Sequence, residues 1–277
     1  MHRLSPLGGK IGLHPTSIAW TEYAGNPVHF IGGQDPVTGK ARKGWMCTKI
    51  SDGCTNCYAE SLNMGNGRIS GNLLEYNQTS LAKGQWTLAD SEMSSWLKLE
   101  KPARIFVCDM TDLFHPAIPD SFRDEIFAGM ERAPWHSYQV LTKRPEEALS
   151  YYGRKIEKGY WEFPKSMWLG VTVESSKYTH RIDTLRKLPA SVRFISFEPL
   201  LADIEEVDLS GISWIIIGAE SGKNRRPFEM EWAEDLLEQA RNQNVSFFMK
   251  QESAFKPGQT KNIPSHLMIR EFPEVMG

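Results

Sequence analysis

Six short, almost unbroken apolar runs recur along the chain and limit the folds open to it. They are Arg104–Met110, Ser137–Thr142, Met167–Val173, Val192–Phe197, Ser213–Gly218 and Val245–Met249. Runs of this kind, without polar alternation, mark strands buried on both faces, as in a parallel sheet covered by helices. The segments between them read as helices. One opens at Asp120-Ser121 with a capping sequence, one runs from Glu146, one covers Ser176–Leu188 and one covers Met230–Asn242. The repeat of about 30 residues is that of successive βα units. Ser17–Thr21 adds a short buried strand ahead of the series. Seven strands are one short of a closed eight-stranded barrel, so the expected fold class is α/β, an open or partial barrel.

The rest of the chain fits around that core. Residues 1–16 are rich in Gly and Pro and read as an irregular arm. Residues 22–46 read as a long loop, punctuated by Gly25, Pro27, Gly32-Gly33, Pro36, Gly39 and Gly44. A loop of that length inside a domain is usually functional. Residues 57–65 and about 86–100 look helical, with an irregular piece between them. The division is therefore 1–46 for arm, first strand and inserted loop, 47–252 for the partial barrel, and 253–277 for a tail. At 277 residues, 40% hydrophobic and 24% charged, the chain can bury one sizeable core. A net charge of −2 gives no global pull toward nucleic acid, though it leaves room for a local basic groove. Runs of about 18 apolar residues are absent, so no membrane helix is expected. The N-terminus lacks the apolar stretch of a secretory signal. The expected setting is cytoplasmic and reducing.

Three of the four cysteines, Cys47, Cys54 and Cys57, fall in one short stretch with C-x6-C-x2-C spacing. Cubane iron–sulfur clusters usually take four thiolates, and structural zinc takes four Cys or His ligands. Three thiolates therefore admit two readings. In one, a cubane is held by three thiolates and its fourth iron is open to another ligand. In the other, a zinc knuckle draws its fourth ligand from Cys108, His29 or His115. A disulfide fits poorly, because no secretory signal is present and one of the three thiols would be left over. Asp52-Gly53 allows a tight turn between the thiols, and the run after Cys57 starts a helix. Cys108, inside an apolar run, reads as a buried thiol.

Chemistry in βα barrels gathers at the carboxyl ends of the strands, and here those ends are polar. They carry Asp109, Thr111 and Asp112, then Thr142, Lys143 and Arg144, then Thr172, Glu174 and Ser175. Ser196 and Glu198, Glu220 and Ser221, and Lys250 and Gln251 follow. Gly218-Ala219-Glu220-Ser221-Gly222 would let backbone approach a flat ligand, although G-x-G-x-x-G is absent. Lys223, Arg225 and Arg226 offer phosphate contacts beside this mouth.

Taken together, these motifs resemble a known family. Ile18–Thr21, Asn26-Pro27, Cys47–Glu60, Met110–His115, Leu141–Pro145, Leu169–Glu174, Ser196–Leu201, Gly218–Gly222 and Lys250-Gln251 are similar to the phage-type three-cysteine family, itself similar to the radical S-adenosylmethionine superfamily. The resemblance covers residues 17 to 252. It implies a partial (β/α)6 TIM-like barrel with an extra C-terminal strand and a [4Fe–4S] cluster on Cys47, Cys54 and Cys57. S-adenosylmethionine would bind the fourth iron and be cleaved to a 5′-deoxyadenosyl radical. An external electron donor of flavodoxin or ferredoxin type is implied, as is a nucleotide, nucleobase or nucleic-acid substrate.

The resemblance also implies residue roles. Asp109, Met110, Thr111 and Asp112 would take the cofactor's amine, and Lys143 or Arg144 its carboxylate. Thr172, Glu174 and Ser175 would take the ribose, while Gly218, Glu220 and Ser221 would lie against adenine. Glu198, Lys250 and His115 remain for the substrate. Two features depart from the superfamily: the first cysteine gap is longer than the usual C-x3-C, and residues 28–46 are inserted after Asn26-Pro27. Two competing readings are a zinc-stabilised nucleic-acid-binding module without catalysis and a sugar or phosphate enzyme on an ordinary barrel.

Overall fold

A computed structural model describes residues 12–66, 70–159 and 161–274. The described chain opens with two short strands, β1 (His14–Pro15) and β2 (Tyr23–Gly25), followed by a hairpin of β3 (Val28–Gln34) and β4 (Ala41–Gly44). The cysteine segment comes next, with a single 3-10 turn at Asp52–Cys54, and leads into α1 (Tyr58–Asn63) and α2 (Gln78–Leu81). After β5 (Gly84–Leu88) and α3 (Asp90–Lys98), strands and helices alternate. The series is β6 (Arg104–Val107), α4 (Asp120–Arg132), β7 (Ser137–Thr142), α5 (Pro145–Ile156), β8 (Met167–Thr172), α6 (His180–Arg186), β9 (Val192–Phe197), β10 (Trp214–Gly218), α7 (Met230–Asn242) and β11 (Ser246–Gln251).

The fold is mixed α/β, built on a curled eight-stranded half-barrel sheet. Its order, β1-β2-β6-β7-β8-β9-β10-β11, follows the chain with one substructure inserted. From β2 to β11 every pairing is parallel, and only β1 runs antiparallel. The carboxyl ends of every strand of this sheet except β1 therefore meet at one rim. The six apolar runs all became strands of this sheet, and every residue of β8 and β10 is buried.

Alternation along each strand separates two cores. One face carries Ile105, Val140, Leu169, Ile195, Ile215 and Phe247 against helix residues such as Ile126, Tyr151, Ile182 and Leu236. The helices bury their apolar stripes there: Ala233, Leu236 and Ala240 of α7 recur at helical spacing. The other face has no helix residue. It is an aromatic floor of Phe106, Trp168, Phe194, Trp214 and Phe248, filled by Trp20. Trp20 packs at 4.7 Å from Phe106 and edge-on to Trp214 at 6.3 Å, and Gln139 donates from Nε2 to its carbonyl (3.1 Å).

Several local expectations are corrected. Ser17–Thr21 is a turn, not a strand; its apolar residues plug the sheet's open face, and the pairing with β6 is made by Tyr23–Gly25. The stretch expected as a 22–46 loop holds β2, β3 and β4, and the stretch expected as one helix over 86–100 begins as β5. The order β4-β3-β5 makes a separate antiparallel sheet across a long sequence gap, which no local pattern encodes. This sheet rests on α1 through Phe30, Met46, Ala59, Leu74 and Tyr76. Fully buried Asn63 and Asn72 tie it down: Asn63 Nδ2 donates to Asn72 Oδ1 (2.7 Å), and Asn72 Nδ2 donates to the carbonyls of Phe30 and Trp45.

The tail runs back along β11. The Met249 N–H donates to the Ile269 carbonyl, the Glu271 N–H donates to the Phe247 carbonyl, and Phe272 closes the floor against Trp214. This covers a sheet edge that would otherwise present unpaired backbone. No helix among the described residues is long and apolar enough to cross a membrane.

Trp20 belongs to no regular element yet fills the floor, so Trp20→Ala should cost about 3–5 kcal/mol. A urea midpoint shift that, multiplied by an unchanged slope, gives less than half that loss would mean the floor tolerates the void.

Candidate functional site

The cysteine loop lies across the carboxyl ends of the sheet and is held there by three carboxylates, each from the end of a different strand. The first is Asp112, beyond β6. It pairs with Arg144 at the end of β7 (3.0 Å) and accepts from the Thr142 hydroxyl (2.7 Å) and the Lys143 N–H (3.1 Å). Arg144, so oriented, donates to the Thr48 carbonyl (2.6 Å) and hydroxyl (3.0 Å), and its Nη1 lies 3.6 Å from the Cys47 sulfur.

The second carboxylate is Glu174, beyond β8 and fully buried. Its Oε1 accepts from the Ser51 hydroxyl (2.5 Å), and its Oε2 pairs with Arg181 (2.8 Å), which also donates to the Thr172 carbonyl. Gly53 must be glycine here, because a Cβ would stand 2.5 Å from Glu174 Oε1. The Asp52 N–H donates to the Tyr178 hydroxyl beside it (3.0 Å). The third is Glu220, beyond β10. It is bound by the Arg226 guanidinium, whose Nη1 donates to the Asp52 carbonyl (3.0 Å), and it accepts from Asn56 Nδ2 (3.0 Å).

The three thiols are unbridged and partly exposed, whereas Cys108 is buried. Burial pushes the Cys47 thiol up to about 11 against the pull of Arg144, and burial also raises Cys57. At Cys54 burial acts upward too, but the charge of Lys143 and the N–H groups of Ile50 and Ser51 outweigh it and bring that thiol below its ordinary value. Cys57 lies within electrostatic reach of both Cys47 and Cys54.

Other expected site residues divide between clamp and mouth. His115 is not at the mouth. It is 1% exposed, its Nδ1 accepts from the Ala117 N–H (3.2 Å), and its Nε2 meets the Thr48 hydroxyl (2.9 Å). Burial, then the nearby Arg144 charge, lowers it to about 4, so it is a neutral strut of the first clamp. Met110 is buried in the core under the inserted sheet, and Thr172 is buried beside Arg181. Thr111 is buried, with its hydroxyl unpartnered. Ser175 and Ser221 are half-buried at the rim.

The groups left facing the mouth are Asp109, Lys143, Glu198 and Lys250. Lys143 Nζ is 3.7 Å from Glu174, and Lys250 is paired with Glu198 at 2.5 Å, both side chains 16% exposed. A Cβ on Gly218 would meet Glu198 at 3.0 Å, so the glycine makes room for that carboxylate. Asp109 follows Cys108, whose left-handed backbone (φ +63°) turns the chain sharply off β6. Its Oδ1 accepts from Asn26 Nδ2 (2.5 Å), and the Tyr58 hydroxyl donates to its carbonyl (2.7 Å). Burial raises the Asp109 carboxyl to about 6.

Among the described residues no three His, Cys, Asp or Glu side chains converge closely enough to hold a metal ion. That holds alike for the three thiols and for the zinc set that would add Cys108, His29 or His115. His29 instead sits 3.6 Å from Glu92 under the inserted sheet. Sequence reasoning missed the grip of Thr48, Ser51, Asn56, Tyr58 and Arg181, and it read Arg226 as a phosphate contact although its guanidinium holds Glu220 and the Asp52 carbonyl. Their sequence signal is slight, because most of these contacts join residues far apart in the chain, as Ser51 to Glu174, Asn56 to Glu220 and Tyr58 to Asp109.

A family model described as "Protein of unknown function (DUF5131)" matches residues 16–274. No curated protein and no solved structure matches the chain.

Two predictions follow the clamp and the mouth. Arg144→Ala leaves Asp112 buried without its partner and should cost about 3–5 kcal/mol; a loss under 1 kcal/mol in chemical denaturation would show that the clamp is not anchoring. Asp109 has a raised folded pKa, so its share of stability is full below about pH 4 and is lost as pH rises through about 6. Asp109→Asn should thus gain on the wild type across that window, by about 1–2 kcal/mol. Parallel stability–pH curves for the two proteins would refute the assignment.

Proposed function

The chain belongs to the DUF5131 family, and we propose that it is a radical S-adenosylmethionine enzyme acting on a nucleotide or nucleobase. The observation that carries this reading is the mounting of the thiols. Cys47, Cys54 and Cys57 share one loop, unbridged, held over the carboxyl ends of a half-barrel by Asp112, Glu174 and Glu220. Strand carboxyl ends are where barrel chemistry sits, and three clamps on so short a loop fix the donors before anything binds. Cys57 is within electrostatic reach of both Cys47 and Cys54, so the loop gathers three sulfur donors of the kind that a cubane takes. The sheet would then be a partial (β/α)6 barrel of the radical type, with β11 as the extra strand.

A [4Fe–4S] cluster with S-adenosylmethionine on its free iron would supply, after one-electron reduction by an external donor, a 5′-deoxyadenosyl radical. The chain's own part is binding, orientation and exclusion of water. Cys54 is the readiest thiolate, lowered by Lys143, and Arg144 places positive charge on Cys47. Asp109, oriented by Asn26, would hold the cofactor's cationic amine. Of the two cations expected for a carboxylate, Arg144 is spent in the clamp, which leaves Lys143. Glu198 and Lys250, opposite, orient the substrate or hold a proton at a named oxygen or nitrogen. The aromatic floor closes the space below to water. The phage-type resemblance is what points to a nucleotide or nucleobase.

Anaerobic reconstitution with iron and sulfide should yield a brown protein with roughly four irons and four sulfides per chain. With S-adenosylmethionine and a reductant it should release 5′-deoxyadenosine. Cys54→Ala should lose both properties. A colourless protein with one zinc, or turnover without S-adenosylmethionine, would overturn the reading.

A further inference from the structure

Charge on this molecule is unevenly placed around the mouth. Beyond β10, residues 221–227 carry Lys223, Arg225 and Arg226 and no acid; beyond β11, residues 253–262 carry Lys256 and Lys261 and no acid. The two segments lie side by side: Ser221 bridges to Ala254, the Gly222 N–H donates to the Ala254 carbonyl (3.0 Å), and the Ser253 hydroxyl donates to the Arg226 carbonyl (3.3 Å). The first segment also touches the cysteine loop, where Asn56 Nδ2 donates to the Asn224 carbonyl (2.9 Å).

Nearby acids do not offset these cations. Glu220 is buried and bound by Arg226, Glu252 is buried against the Asn262 N–H, and Asp52 is paired with Lys177. Lys223, Arg225, Lys256 and Lys261 are exposed, and among the described residues none forms an ion pair, whereas most other basic groups around the mouth do. Phe255 stands among them, 64% exposed. A ring set beside unpaired cations offers a stacking platform next to a phosphate track. The next acids along the chain are Glu229, shortly after Arg226, and Glu231, Glu234, Asp235 and Glu238 on α7.

We infer that this rim is a binding surface for single-stranded nucleic acid. Phosphates run over Lys223, Arg225 and Lys256, and a base stacks on Phe255, which delivers a neighbouring nucleotide to the mouth. A single strand suits the surface because the cations and the ring are contiguous, so a base must leave its stack to reach Phe255. The inference rests on the function proposed above for its substrate class, narrowing a nucleotide to a nucleotide within a polymer, but the binding can be measured without any cluster.

The test is fluorescence anisotropy with the full chain and labelled single strands of DNA and RNA of about 20 nucleotides, from about 50 to 200 mM salt. Competitors are the matching duplex and free mononucleotide. Single strands should bind, with affinity falling steeply as salt rises. Lys223→Gln, Arg225→Gln and Lys256→Gln combined should reduce the log–log salt slope by about 2, at about 0.7 per lost phosphate contact. Phe255→Ala should weaken binding about 5- to 100-fold with the slope unchanged. Thermal melts of both variants should match the wild type. Absence of binding by the wild type, an unchanged slope in the triple variant, preference for duplex, or equal competition by mononucleotide would overturn the inference. Cleavage of S-adenosylmethionine without strand binding sinks this inference alone; strand binding without cluster assembly sinks the proposed function alone.

Discussion

Three buried carboxylate–guanidinium pairs govern how this structure is put together: Asp112 with Arg144, Glu174 with Arg181 and Glu220 with Arg226. Each carboxylate sits beyond a sheet strand, and each pair spends part of its hydrogen-bonding capacity on the segment from Thr48 to Asn56. Buried ion pairs add little net stability over apolar packing, but removing one partner is costly because the other charge is stranded. Such pairs set geometry more than they raise stability. A polar loop rich in Ser, Asp, Gly, Thr and Asn has no apolar face with which to dock itself, and these clamps do that work.

The inserted antiparallel sheet completes the mounting from the other side. Cys47 and Cys57 pack against the core that joins Phe30, Met46, Leu74 and Tyr76, and the Tyr76 hydroxyl donates to the Met110 carbonyl (2.7 Å). The thiol loop is thus held between two sheets, ionic on one side and apolar on the other. Expected as a loop ahead of the cysteines, the insertion is a supporting wall. Its strands β3 and β5 are separated by the whole cysteine segment, so their pairing is non-local.

This explains what was legible in the sequence. The parallel strands could be read because burial on both faces leaves a run of apolar residues with no local competitor. The polar residues ending those strands could be read as a set for the same reason. Their individual tasks could not. Glu174 and Glu198 both follow apolar strands, yet one is sealed against Gly53 and Arg181 while the other faces the mouth with Lys250. What separates them is the cysteine loop, which lies over Glu174 from more than a hundred residues away and leaves Glu198 to Lys250. Trp20 shows the same limit: an apolar run read as a strand is a plug, because the partner for its face is the floor of the sheet and not a neighbouring strand.

The clamps also settle the electrostatics under the thiols. Each pairs one acid with one guanidinium, so together they contribute almost no net charge where three thiols crowd. Lys143 breaks the balance. Its ammonium is 3.7 Å from Glu174, too far for a tight bond to an oxygen already taken by Ser51, and its charge reaches both Cys54 and Cys57. Deprotonating thiols at a half-buried site requires some uncompensated positive charge, and a lysine held near a carboxylate already occupied supplies it without being neutralised. The loop is therefore fixed by charges that cancel and has one beside it that does not: at Cys54 the Lys143 charge and the local hydrogen bonds outweigh burial, whereas at Cys47 burial outweighs the pull of Arg144, a guanidinium already committed to Asp112.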